Sequence, residues 1–204
     1  MTEHQPEPNP DRDREMQRPE SEHQPDVPPM IWVASLADYV NGRLHGEWID
    51  PAVDDEELRG SVQAMLQRST EPHAEEHAIF DFEGFSPWQP GEYTPLEVVA
   101  KVARGIRDHG TPYATWTDLV SADIERLDQF DEAYLGHYES PEAWAEEMAT
   151  DLGLEADFDK AIPATWRPYV HVDYEGLARD CRLSGEVTFE ERADGSVDMF
   201  REDL

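Results

Sequence analysis

The 204-residue sequence is short of three things: cysteine, lysine and long apolar runs. Its one cysteine, Cys181, excludes an internal disulfide or a zinc site built from several thiolates, and it is typical of a reducing compartment. No apolar stretch approaches the ~18 residues of a membrane span, and the first residues lack the apolar segment of a signal peptide. These absences predict a soluble protein of the cytoplasm with no membrane partner.

Positive charge is scarce. The chain has 16 Lys+Arg, of which two are lysines, against 47 Asp+Glu, so its formal net charge is −31. A surface of this sign repels phosphate, which argues against direct binding of DNA, RNA or an anionic membrane. The partners that fit are a cation, a polybasic protein, or a protein groove built for nucleic acid.

Composition shifts along the chain predict a tail followed by three units. Residues 1–29 hold seven of the 16 prolines, eight acids, three arginines and no aromatic residue, which is typical of a disordered tail. The remaining residues, 30–204, keep a net charge of −26. Their patterns predict an α+β protein, an elongated chain of three small domains. These are a mixed α/β sheet unit over 30–91, a helical acidic unit over 92–153, and a C-terminal α/β unit over 154–204.

Local patterns place the expected elements within these units. Alternating residues predict strands at 30–34, 44–49 and 77–83, with a helix from a cap at 50–51 to residue 68. The sequence Thr94-Pro95-Leu96-Glu97 predicts a capping box that opens a helix ended by Gly110. The later elements are expected as helices near 112–121, 123–134, 141–152 and 173–183, an extended segment at 168–172, and a strand hairpin that turns at Asp194-Gly195.

The densest charge lies over residues 118–159, which hold 14 acids and one arginine, Arg126, in 42 residues. These acids are interleaved with apolar residues such as Leu127 and Trp144, so we expect helices with one buried and one acidic face. Such a face can be simply solvated, or it can imitate nucleic acid. The acids predicted to form a DNA-mimic surface are Asp54, Asp55, Glu56, Glu57, Asp118, Asp123, Glu125, Asp128, Asp131, Glu132, Glu139, Glu142, Glu146, Glu147 and Asp151.

Residues 73–77 spell H-x-x-E-H, a pattern of zinc hydrolases. That chemistry needs both histidines on one helical face, a third ligand, and a glutamate near the metal-bound water. Here Pro72 precedes the pattern and a predicted strand begins at His77, so the five residues span a loop and a strand start. A zinc hydrolase is therefore an unfavoured alternative, and the sequence predicts neither an enzyme nor a cofactor.

Four blocks of the sequence, in the family's order, resemble the ArdA antirestriction proteins. The first block reads IWVASLADY at 31–39 and GRLHGEWID at 42–50, and the second reads AIFDFEGF at 78–85. The third, expected to be helical, reads AYLGHYES at 133–140. The fourth reads RPYVHVDYE at 167–175 and continues to residue 185. The large aromatic residues of these blocks, Trp32, Trp48, Tyr169 and Tyr174, are expected in the core.

The resemblance implies an elongated, acidic homodimer that imitates bent B-form DNA and dimerises through its C-terminal domain. It implies a partner, the methyltransferase core of a type I restriction-modification enzyme, and a role in blocking restriction and often modification. Such proteins travel on conjugative plasmids and transposons. The resemblance also implies an antirestriction motif around Tyr134, Gly136, Tyr138 and Ser140. A mimic aimed at another DNA-binding protein, or an acidic scaffold with no inhibitory role, remain alternatives.

Overall fold

A computed structural model describes residues 27–202 of the chain. The tail predicted over 1–29 lies outside the described residues except for 27–29, where Pro29 is buried. The strands are β1 (Met30–Ser35), β2 (Gly46–Ile49), β3 (His77–Glu83), β4 (Tyr134–Tyr138), β5 (Val187–Glu191) and β6 (Val197–Arg201). The helices are α1 (Leu36–Val40), α2 (Asp55–Gln67), α3 (Leu96–His109), α4 (Thr111–Leu119), α5 (Ile124–Leu127), α6 (Phe130–Ala133), α7 (Pro141–Asp151), α8 (Leu154–Ala161) and α9 (Tyr174–Ser184). The fold is mixed α+β, as predicted.

The first sheet is antiparallel, with strand order β2-β1-β3. Alternation along β1 sends Ile31 and Val33 to the core face and Trp32 to the opposite face. Trp32 lies directly opposite Trp48 of β2 and opposite Asp81 of β3. The three strands predicted here are confirmed, although β2 begins at Gly46, two residues later than expected.

Helix α2 begins later than the sequence suggested. Asp54, and not the predicted cap at 50–51, caps it by accepting hydrogen bonds from the backbone N–H groups of Glu56 and Glu57, each at 2.9 Å. Asp50 instead accepts a hydrogen bond from Ala52 within its own turn. The helix buries Leu58, Val62, Met65 and Leu66 against the first sheet, which is the stripe that the spacing predicted.

The predicted capping box at 94–97 does not form. Pro95 is the N-cap of α3 and has no side chain that can accept, while the Thr94 hydroxyl accepts from the backbone N–H of Gly91. The apolar stripe of the helix is buried as predicted, including Val99, Ala100 and Ala103. Gly110 ends the helix with φ of +70°, a conformation in which a side chain would be strained.

The block at 133–140 was expected to be helical, and this is wrong. Tyr134–Tyr138 form strand β4, which pairs antiparallel with β6 some 60 residues further along the chain. The expected helix over 123–134 is two single turns, α5 and α6, and Ala133 ends the second. Pairing with a distant strand outweighs the local helical pattern, because β4 obtains its backbone partners only from β6.

The second sheet is also antiparallel, with order β4-β6-β5. The predicted hairpin between β5 and β6 is present, and Gly195 turns it with φ of +88°. Helix α9, capped by Asp173, follows the prediction closely. The segment expected to be extended at 168–172 instead begins within a 3₁₀ turn, Arg167–Tyr169.

Buried residues form two clusters that meet at β6. The larger contains the core face of the first sheet, α2, α3, α4 and the apolar side chains of α5 and α6. The smaller lies between the second sheet, α7 and α9. Phe200 belongs to the larger cluster, whereas its neighbour Met199 belongs to the smaller, because successive strand residues point to opposite faces. Strand β6 therefore joins the two cores. The three-domain division with boundaries at 91/92 and 153/154 stays a prediction.

Candidate functional site: the acidic surface

The fifteen acids predicted for the mimic surface lie at the surface of the fold. Fourteen are exposed, and Asp55 is half-buried. They fall into three groups: the start of α2, the segment from Asp118 to Glu132, and the segment from Glu139 to Asp151.

In the first group, two of the four acids have structural partners. Asp54 caps α2, and Asp55 accepts from Arg104 at 3.1 Å, with the same guanidinium also donating to the backbone carbonyl of Val53. Glu56 and Glu57 form no salt bridge within the part of the chain that the structure describes. All four lie at the positive end of the helix dipole, which stabilises their charge.

The second group sits on short helices whose other face is buried. Leu127, Phe130 and Ala133 point into the larger core. Asp123 caps α5, and Asp128 pairs with Lys101 at 2.7 Å. The acids of this segment with no salt bridge among the described residues are Asp118, Asp123, Glu125, Asp131 and Glu132.

The third group follows β4 and covers the outer face of α7. The helix buries Trp144, Ala145 and Ala149, so Glu142, Glu146, Glu147 and Asp151 lie on its exposed side. Glu142 and Glu146 are one turn apart, as are Glu147 and Asp151, so like charges are neighbours with no lysine between them.

Two tyrosines beside these acids have raised pKa values. Burial raises the pKa of Tyr138, and the charges of Glu147 and Asp151 raise it further. Burial also raises the pKa of Tyr113 to about 12, with the charges of Asp128 and Asp131 acting in the same direction. Burial and a negative field both disfavour a phenolate, and burial is the larger cause for both tyrosines.

All thirteen Lys and Arg side chains of the described residues have a partner, and ten of them pair with a carboxylate. Those that form a salt bridge with a carboxylate are Arg43, Arg59, Arg68, Lys101, Arg104, Arg107, Lys160, Arg167, Arg179 and Arg192. Arg126 lies over the Trp116 ring and Arg182 over the Phe189 ring, and Arg201 also has a partner. The cations therefore neutralise individual carboxylates but leave the excess negative charge facing solvent.

The four residues of the expected antirestriction motif have structural roles. The Tyr134 ring packs against Phe130 and Phe200, and its hydroxyl donates to Asp198 at 3.3 Å. Gly136 has φ of +134° at an irregularity in the β4 register. The Tyr138 hydroxyl donates to the carbonyl of Leu135, and Ser140 caps α7. Of these four residues, Tyr138 and Ser140 contact or cap the elements that carry the third group of acids, since Tyr138 packs in the smaller core with Trp144.

Sequence reasoning missed a buried charged cluster on the second sheet. The Asp198 side chain is 1 % exposed and accepts two hydrogen bonds from Arg192, at 2.8 and 3.0 Å. His137 Nδ1 lies 3.2 Å from the same carboxylate. Nothing in the sequence separates Asp198 from the other 46 acids, since its burial depends on the pairing of β6 between β4 and β5.

The placement of the signature aromatics in the core is wrong for two of the four. Trp48 is 40 % exposed and Tyr169 is 78 % exposed, while Trp32 and Tyr174 are half-buried. The period-2 alternation could have indicated this for Trp48, because it shares a strand with the buried Ile49 and must point the other way.

The H-x-x-E-H segment lies in a loop and at the first residue of β3, with His73 at a φ of +63°. Among residues 27–202, no three His, Cys, Asp or Glu side chains are placed to hold a metal ion. No helix in the same range is long and apolar enough to cross a membrane.

Comparisons with known proteins bear on the whole of this surface. A search of curated proteins finds none that matches the chain. Among protein families, the one described as antirestriction protein (ArdA) matches residues 31–193. This range includes the four sequence blocks described above and all fifteen predicted acids. The chain therefore belongs to the ArdA antirestriction protein family.

Proposed function

We propose that this antirestriction protein is a homodimeric DNA mimic that occupies the DNA-binding groove of a type I restriction-modification enzyme in the cytoplasm of a bacterial host. The observation that carries the proposal is the matching of the chain's cations to its own carboxylates and rings, while the predicted acids face solvent. An ordinary acidic protein would distribute lysines between its surface acids, since like charges one turn apart are destabilising.

The amount of charge is consistent with this role. Residues 30–204 carry −26. B-DNA carries one charge per ~1.7 Å of axis, so one chain matches about 44 Å of duplex and two chains match about 88 Å. The enzyme's Lys and Arg side chains would meet carboxylates in place of phosphates, and release of counterions would contribute to affinity as it does for DNA.

Exposed apolar side chains in the described C-terminal part support the proposed homodimer. Helix α8 contains no buried residue, and the 3₁₀ turn after it contains none. Leu152, Leu154, Trp166, Tyr169 and Leu183 are all exposed in this region. Several exposed large apolar side chains on a protein of such high charge are typical of an interface. The mass of the protein in solution, measured by light scattering, should be twice the chain mass of 23.4 kDa. A Tyr169→Asp change at the interface should shift it to one chain.

The first test is an assay of restriction in cells that carry a type I system. Expression of the protein should restore plating of unmodified phage to the level seen without the system. With purified components, near-stoichiometric protein should abolish DNA cleavage. Normal restriction at saturating expression of folded protein would contradict the proposal. Immobilised protein incubated with lysate tests the alternative target, because capture of another DNA-binding protein with no type I subunit would favour it.

The second test is the salt dependence of direct binding between the protein and the enzyme without DNA. Replacing about 6–10 phosphate contacts predicts a loss in affinity of roughly 10³-fold or more between about 50 and 200 mM salt. Affinity that is unchanged over this range would show that the acids do not act as phosphates. Measurement without DNA is needed because the enzyme's hold on DNA weakens over the same range.

A further inference from the structure

The outer face of the first sheet carries a row of three side chains, two indoles and a carboxylate. Trp48 on β2, Trp32 on β1 and Asp81 on β3 are direct cross-strand neighbours. Directly opposite residues point to the same face, and adjacent strands are ~4.8 Å apart, so the row spans about 10 Å. The reverse face of the same strands holds Ile31, Val33 and Ile49 in the core.

The two indole rings of the row contact each other, and the Trp48 ring remains partly exposed to solvent. Their centroids are 5.9 Å apart at an interplanar angle of 66°, an edge-to-face contact. Trp48 stays 40 % exposed and Trp32 is half-buried. In residues 27–202 no cation of the chain lies over either ring, whereas Arg126 lies over Trp116 at 5.5 Å and Arg182 over Phe189 at 4.2 Å.

The acid at the end of the row is held in place. The backbone N–H of Phe82 donates to Asp81 Oδ1 at 2.9 Å, and the side chain is exposed. Asp81 forms no salt bridge with any described residue. Its carboxylate therefore stands beside an indole pair with hydrogen-bonding capacity left for an outside donor.

We propose that the row Trp48, Trp32 and Asp81 is a docking site for an arginine side chain of the partner protein. A planar guanidinium can stack on an indole face while its N–H groups bind a carboxylate at the ring's edge, and it loses hydration more readily than an ammonium. Charge complementarity favours this occupant, because a chain with this excess of acids attracts basic surfaces and repels acidic ones. The inference rests on the proposed function only for the identity of that partner.

The direct test uses a hexa-arginine peptide as the probe and the full-length chain labelled with ¹⁵N. Titration should shift the indole N–H signals of Trp32 and Trp48, and hexa-lysine at the same concentration should shift them less. Trp48→Ala should weaken hexa-arginine binding by about two- to fivefold, and Trp48→Phe by less. Asp81→Asn, at an exposed position that leaves the fold intact, should weaken it by about two- to threefold.

Two matched controls separate the row from general attraction. Glu75→Gln removes an exposed loop charge, and Tyr93→Ala removes an exposed aromatic ring elsewhere. Both should leave the Trp32 and Trp48 shifts unchanged, and thermal melting should show that each variant is folded. The proposal is overturned if hexa-arginine leaves both signals in place, if hexa-lysine shifts them equally, or if Asp81→Asn binds like the wild type.

Inhibition of the restriction enzyme by the wild type and by Trp48→Ala then tests this site separately from the proposed function. Wild-type inhibition with a two- to fivefold loss in Trp48→Ala supports both. Inhibition that is equal in wild type and Trp48→Ala overturns the arginine site in the complex and leaves the mimic intact. Indole shifts with the peptide, combined with no inhibition by the wild type, overturn the proposed target and leave the arginine site standing.

Discussion

The carboxylate side chains of this molecule fall into two sets, a few that are buried and hydrogen-bonded and many that are exposed. Asp38 and Asp198 are buried and held by several donors, and hydrogen bonds led by that of the Ser69 hydroxyl lower the pKa of Asp38 below its usual range. The acids of the predicted mimic surface are exposed, apart from the half-buried Asp55, and most form no salt bridge among the described residues. The residue type and its sequence neighbours predicted the exposure of this second set, whose role in DNA mimicry stays a prediction. They could not predict the burial of the first set, because the partners of Asp198 come from β4 and from the turn after β5.

Replacing Asp198 with alanine should lower the free energy of unfolding by about 2–4 kcal/mol. Removal of one member of a buried ion pair leaves the other charge uncompensated, and the loss is moderated here because Arg192 is 25 % exposed. Urea denaturation measures the change. Glu190→Gln, at the exposed position opposite Asp198 on β5, is the matched control and should stay near the wild type. Equal stability of Asp198→Ala and the control would contradict a structural role for the cluster.

Alkaline pH should destabilise the fold through its tyrosines. The pKa of Tyr113 is about 12 in the folded chain, raised first by burial, against about 10 in an unfolded one. A raised folded pKa gives stability that is complete below pH ~10 and is lost as pH rises towards 12. Absorbance of phenolate against pH should show this late titration. Tyr113→Phe should lose less stability than the wild type over that interval, and parallel losses would refute the argument.

At the scale of elements, local sequence patterns correctly predicted the helices and strands whose formation depends mainly on their own residues. Helix α2 and strand β3 have strong periodicity, and β3 occurs at its expected bounds. Strand β4 was missed because its pairing partner is distant in sequence. The capping box predicted at Thr94 does not form, because that hydroxyl accepts from a competing donor in its own turn, the N–H of Gly91.

Two glycine-to-alanine changes should shift stability in opposite directions. Gly136 in β4 has φ of +134°, and an added Cβ would lie 3.2 Å from the Tyr138 ring, so Gly136→Ala should cost about 1–3 kcal/mol. Gly60 is in the middle of α2 with nothing within 4 Å of an added Cβ, so Gly60→Ala should stabilise by about 0.5–1 kcal/mol. Thermal or urea unfolding of both variants checks the pair. Stabilisation by Gly136→Ala would contradict the strained backbone described for β4.

At the scale of the whole molecule, net charge opposes the compact state. Residues 27–202 hold 38 acids and 13 cations, a net charge of −25. Added salt screens this self-repulsion, so the melting temperature should rise by several degrees between roughly 50 and 500 mM NaCl. A quadruple variant that neutralises Glu142, Glu146, Glu147 and Asp151 as amides should melt higher at low salt and respond less to salt. A melting temperature that falls with salt would show that ion pairs, and not repulsion, dominate.

The same variant should bind the enzyme much more weakly, while single changes should do little. Because the proposed interaction is spread over many carboxylates, each Glu→Gln should alter affinity by about twofold or less, and the salt slope should fall in proportion to the acids removed. Binding titrations at two salt concentrations measure both quantities. Loss of inhibition in one single variant would point to a localised site.

Strand β6 has a consequence for how the protein is made. The larger core is assembled mainly from residues before 134, which leave the ribosome first, yet it is closed by Phe200, whose ring stacks on Trp116 at 5.7 Å. The smaller core is likewise incomplete until Val197 and Met199 have been synthesised. A nascent chain halted before residue 197 thus has two unfinished interiors and a β4 without its neighbour. Nearly all of its negative charge is already present at that stage, and we expect the repulsion between such chains to oppose their aggregation until β6 is complete.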